Sequence, residues 1–209
     1  MMKSFHLVLS VLVFIAATAA VSVGASPDAH ALLSPLGFSV IPPVQFPPAD
    51  FDVVGARVDL IWGKHRSVYG FDLGVIGNMT MIGMGGIQVA GVFNFNRGVA
   101  TAVGTQFAGV ANVNVDKITV VGIQFAGALN QNYAESRVVG LQLATFANLC
   151  SHTNIYGLQA GLWNEANNVY GFQIGLFNSA RALHGIQIGI LNANMTGPFA
   201  YSPFLNVGF

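Results

Sequence analysis

From Val53 to Asn192 the chain alternates large apolar residues with small or polar ones. In the stretch VYGFQIGLFN, Tyr170, Phe172, Ile174 and Leu176 fall on one parity, and Gly171, Gln173, Gly175 and Phe177 on the other. A period of two is the signature of a strand, in which successive side chains point to opposite faces. Polar runs such as SARA, EANN, CSHT and QNYAES follow these stretches and carry turn chemistry. The pattern predicts a train of strands of roughly nine residues, each followed by a loop. A helical reading fails because glycine recurs inside every apolar segment and β-branched or aromatic residues fill the remainder.

The strands are copies of one unit. Anchor glycines stand at Gly55, Gly70, Gly86, Gly104, Gly122, Gly140, Gly157, Gly171 and Gly185, so the spacing runs from 14 to 18 residues. Two residues after the anchor comes a glutamine in seven units: Gln88, Gln106, Gln124, Gln142, Gln159, Gln173 and Gln187. The first two units carry Arg57 and Asp72 there. Seven or eight residues after the anchor comes an asparagine, Asn78, Asn94, Asn112, Asn130, Asn148, Asn164, Asn178 or Asn192, which only the first unit lacks. Atypical first units are what a repeat fold uses as caps.

The units GIQVAGVFN, GTQFAGVAN, GIQFAGALN, GLQAGLWN, GFQIGLFN and GIQIGILN resemble those of bacterial surface-repeat proteins with the motif Gly-x-Gln-x-Gly-x-x-Asn. The resemblance extends from about Val53 to Asn192, and the ending PFLNVGF is similar to that family's close. It implies an exported, surface-located protein whose biochemical role is undetermined.

Two all-β architectures accommodate the units. A nine-residue strand runs roughly 30 Å, and a parallel coil must travel back before the next rung begins. Units of 14 residues leave little chain for the return. Repetitive antiparallel strands joined by short loops avoid the difficulty. With one parity apolar and the other carrying Gly, Gln and Asn, they would close into an outer-membrane-type β-barrel of about ten strands, apolar side out. The terminal AYSPFLNVGF, ending on Phe209, resembles the last strand of such barrels. The alternative is a β-solenoid, in which identical residues stack in register and the glutamines and asparagines form amide ladders. Against it, the extra residue between Gln and Asn in the earlier units would break a ladder unless it bulged out.

Composition sharpens this picture. Charged residues make up 8% of the chain against about 25% in ordinary soluble domains, so a normal water-facing surface cannot be built. The net charge of +0, with charges scattered singly, excludes a nucleic-acid footprint. Lys3 followed by the apolar run Leu7 to Val23 reads as a signal peptide over residues 1–25. Residues 26–50 form a Pro-rich lead-in, whose prolines argue against a helix or a central strand, and 51–209 form the repeat domain.

Catalytic signatures are absent: there is no nucleophile elbow, no zinc-protease motif and no phosphate loop with a lysine. No cofactor or metal site is predicted. Cys150 is read as a small core or loop residue, and His65, His152 and His184 as loop histidines. Arg57, Asp59 and Asp72 could form a charge cluster inside a lumen or a capping ion pair. The expected protein is an exported, non-enzymatic surface or outer-membrane β-repeat protein, with outer-membrane lipid as its partner and a structural or small-solute-passage role. The alternative is a secreted β-solenoid scaffold for adhesion or protein interaction.

Overall fold

The computed structural model describes residues 32–98 and 100–209; the expected signal peptide lies outside the described residues. All regular structure among them is strand. After β1 (Leu33–Ile41) and β2 (Val44–Phe46) come β3 (Asp52–Asp59), β4 (Trp62–Gly74), β5 (Gly77–Ala90), β6 (Phe93–Asn96) and β7 (Ala100–Ala108). Then follow β8 (Ala111–Asn114), β9 (Ile118–Ala126), β10 (Leu129–Asn132), β11 (Ser136–Ala144), β12 (Ala147–Ala160), β13 (Trp163–Ile174), β14 (Phe177–Asn194) and β15 (Tyr201–Gly208).

The pairing is that of a parallel β-solenoid of about nine turns, so the expected antiparallel barrel is corrected in favour of the alternative. Every anchor glycine pairs with the next, from Gly55 with Gly70 through to Gly171 with Gly185. The Gly-x-Gln strands stack in the order β3, β4, β5, β7, β9, β11, β12, β13, β14, while β6, β8 and β10 pair with one another between β5 and β12 on the other side of a bend. Only the two ends are antiparallel: β2 pairs with β1, and β15 lies along β14.

The return path that troubled the sequence reading is short because the chain turns twice per unit. One turn falls just after the Gln half-strand, at positions such as Gly175–Leu176. The other falls after the Asn half-strand, at Arg97–Gly98, Val115–Lys117 and Tyr133–Glu135 in earlier units, while the anchor glycine stays within its strand with φ in the left-handed region, 132° at Gly122 for example. A Cβ on Gly122 would run into the Gly104 carbonyl oxygen of the coil before, so only glycine lets the coils close up. The first turn also absorbs the extra residue of the earlier units. Leu143 stays opposite Ala160 and Ala147 opposite Trp163, although three residues separate one pair and two the other. Both flanking ladders therefore keep their register.

Proline behaves differently from expectation as well. β1, with Pro35, lies between β3 and β2 and has neighbours on both sides. The register against β3 slips between Ser34 and Leu36, so Pro35 occupies a bulge that asks no amide of it.

Inside each coil the space is narrow. The position two before the anchor supplies an apolar column of Val53, Val68, Met84, Ala102, Val120, Val138, Ile155, Val169 and Leu183, all buried. The rest of the interior is filled by the buried glutamines and asparagines. Large apolar residues of the other parity, Phe71, Val103, Ile123 and Phe172 among them, are exposed. Apolar residues thus face out and polar ones in, as read from the sequence, but around a filled core rather than a lumen.

Candidate functional site

The polar columns form hydrogen-bonded ladders because coils about 4.8 Å apart bring one carboxamide within reach of the next. Gln106 Nε2 donates to Gln88 Oε1 at 3.1 Å, Gln124 to Gln106 at 2.7 Å, and Gln142 to Gln124 at 2.7 Å. Gln159, Gln173 and Gln187 continue at 2.8, 2.6 and 2.7 Å. Every bond points toward the amino-terminal end. In the asparagine ladder the direction is opposite: Asn78 donates to Asn94, Asn94 to Asn112, Asn112 to Asn130, Asn130 to Asn148, Asn148 to Asn164, Asn164 to Asn178 and Asn178 to Asn192, at 2.8 to 2.9 Å. The second amide hydrogen of each goes to a backbone carbonyl of the following coil, as from Asn130 to Leu143 at 2.8 Å. A flipped carboxamide would set oxygen against that carbonyl, which fixes the orientation.

The departures of the first two units fall within the glutamine column, where Arg57 pairs with Asp72 and Asp72 with Gln88. Arg57 donates from Nε and Nη2 to the two Asp72 oxygens at 2.7 and 2.8 Å, and Gln88 donates to Asp72 Oδ2 at 2.9 Å. Asp59 Oδ2 lies 3.2 Å from the same Nε. The cluster is fully buried rather than lumenal. Burial pushes the Asp59 carboxyl up to about 7 despite its arginine neighbour, while Arg57 stays firmly protonated between two carboxylates.

His65 is the fourth member and not the solvated loop residue expected from sequence: it sits in β4, buried. Its Nδ1 is 3.1 Å from Arg57 Nη1, which can only donate, so Nδ1 accepts. The proton is therefore on Nε2, which donates to the Pro47 carbonyl at 3.0 Å. Burial and the guanidinium lower the imidazole to about 4. His152 and His184 also lie in strands, β12 and β14, but are exposed.

One ladder escaped the sequence reading. Thr80 donates to Asn96, Asn96 to Asn114 at 3.0 Å and Asn114 to Asn132 at 2.7 Å. Its signal was the second asparagine in FNFN, ANVN and LNQN. The column ends at Cys150, a buried thiol pushed up to about 12 by desolvation, and later coils fill it with Ala166 and Ala180.

The outer face of the Gly-x-Gln strands is the other distinctive surface. In each of the nine coils three positions point outward, the residues before the anchor, after it and three beyond it. None is Lys, Arg, Asp or Glu; Thr105, His184 and the tyrosines Tyr69, Tyr156 and Tyr170 supply the polarity. Phe107 stacks on Phe125 at 4.7 Å, and Tyr156 on Tyr170 at 4.8 Å. Arg97, Asp116, Lys117, Glu135, Glu165 and Arg181 stand in the return segments, while Arg137 in β11 lays its guanidinium over the Tyr156 ring at one rim of the face, 4.3 Å from the centroid.

Comparison of the chain with protein-family models, curated proteins and solved structures found no match. The fold and its ladders define a tandem-repeat parallel β-solenoid.

Proposed function

We propose that the chain is an exported, non-enzymatic surface scaffold that works by docking through the apolar face of its stacked coils. The observation that carries this is a face nine coils long whose three outward positions hold no charged residue in any coil. Apolar patches of more than a few hundred Å² mark interaction sites. The buried Arg57, Asp59, His65 and Asp72 support a structural role for the polar chemistry, since none of these side chains reaches solvent. The resemblance of the repeats to surface-repeat proteins and the apolar leader point to export.

Contact with outer-membrane lipid is the second reading, favoured by the tyrosines along one rim of the face and by the low charge of 8%. The deciding experiment is protease treatment of intact cells producing the chain, with fractionation. Cleavage from outside is expected; full protection together with recovery in the cytosol would overturn the proposal.

A further inference from the structure

We infer that the apolar outer face seats a second copy of this chain, face on face; this rests on the reading of that face as a docking surface. Nine strands about 4.8 Å apart give a length of about 38 Å, and five residues at about 3.3 Å give about 16 Å of width. That is about 600 Å² per copy, or about 1,200 Å² for the pair, the lower bound of specific interfaces. Leu60, Val75, Val92, Val110, Leu162 and Ile190, all exposed, extend the apolar surface past the bend.

Charge selects this occupant. A twofold pair presents the same patch from both sides, so each charge would meet its own kind or be buried without a partner. This face has none. Many side chains there are more than a third exposed in one copy, Phe71 at 56%, Val103 at 57% and Phe172 at 48%, so a facing sheet has apolar area left to bury. Stacked sheets pack about 10 Å apart with inner side chains interdigitating, and the differing sizes along the central column, Ala56, Phe71, Ile87, Thr105 and Ile123, give ridges and hollows for that. An anionic bilayer would instead be met by a cluster of Lys and Arg beside the face. The return segments mix Arg97, Lys117 and Arg181 with Asp116, Glu135 and Glu165.

The test is sedimentation equilibrium of the purified full chain without detergent. A dimer is expected, falling to monomer in the Ile123→Lys variant, and in Thr105→Lys should the first not fold, with far-UV circular dichroism unchanged. Glu135→Lys in a return segment is expected to stay dimeric. A monomeric wild type, a dimer indifferent to both lysines, or a monomer that partitions onto phosphatidylcholine vesicles would overturn the inference. Surface exposure on cells with a monomeric protein would remove the second copy and leave the scaffold standing; a lysine-sensitive dimer confined to the cytosol would do the reverse.

Discussion

Asp59 and His65 make opposing contributions to stability as pH changes, and this can be worked through. The Asp59 carboxyl titrates at about 7 in the fold against 3.8 in the open chain, so between those values the folded state holds a proton that the unfolded state has released. Stability from this group is therefore greatest below the unfolded value and is lost as pH rises toward 7. His65 titrates at about 4 in the fold against 6.5 outside it, so there the unfolded state holds the extra proton. Its contribution is lost as pH falls through that window and recovered as pH rises. Each slope is about 1.4 kcal/mol per pH unit, and the two have opposite sign over most of the same range.

Neither group is among the causes of the other's shift, which come from burial, Arg57 and Asp72, so single substitutions separate them. In urea titrations at pH 4 to 7, Asp59→Asn is expected to gain stability relative to wild type by up to about 3 kcal/mol as pH rises to 6.5. His65→Gln is expected to lose about as much over the same interval. Variant curves that run parallel to wild type within about 0.5 kcal/mol would refute the reasoning, since each lost titration must remove its slope.

Three further outcomes test the ladders. Gln124→Leu strands the Gln106 oxygen and one Gln142 hydrogen in the core, and should cost about 2–5 kcal/mol in urea unfolding, two orphaned polar groups. Ile123→Ala, one residue away and 39% exposed, should cost about 1 kcal/mol or less. Gly122→Ala sets a Cβ against the Gly104 carbonyl at an unfavourable φ and should lower stability by more than about 2 kcal/mol, measured the same way. Cys150, buried and pushed up to about 12, should resist an aromatic disulfide reagent at pH 8 in the fold and react at once in denaturant.

Strand content and the two main amide columns were legible because period-two patterning and exact residue identity both survive in the sequence; the strand boundaries were not, since the turn at Gly175–Leu176 falls inside an expected strand and CSHT, EANN and SARA, read as loops, lie in β12, β13 and β14. Gln106 opposite Gln124 is a coincidence with no purpose in an antiparallel barrel, whereas in a parallel stack it is the bond itself. What misled was the length variation. Unequal spacing counts against in-register stacking only if the coil is rigid throughout. Here Ala144, Thr145 and Phe146 in one coil do the work of Gly161 and Leu162 in the next, at a turn outside both ladders. His65 was misplaced because the polar run Gly63-Lys64-His65-Arg66-Ser67 reads as a loop and gives no sign of a guanidinium eight positions earlier in the chain folding back beside it.

The units that break the motif match the direction of the repeats. A column of identical carboxamides has no polarity of its own, and in the later coils the backbone sets it: Gln159, Gln173 and Gln187 also donate to the carbonyls of Glu165, Ser179 and Ala193 at 3.3, 3.3 and 3.0 Å. Asp72 imposes the same direction at the other end: a carboxylate only accepts, so Gln88 must turn its nitrogen toward it. Arg57 only donates, which makes it the matching terminus beyond Asp72. At the far end Asn206 of β15 donates to Gln187 Oε1 at 3.3 Å, meeting the last free acceptor as the strand reverses direction and covers the open edge. Restoring the consensus with Asp72→Gln would make the column uniform, yet it would leave the buried Arg57 with Asp59 alone. Ends that depart from the repeat thus agree with the direction that the backbone sets within it.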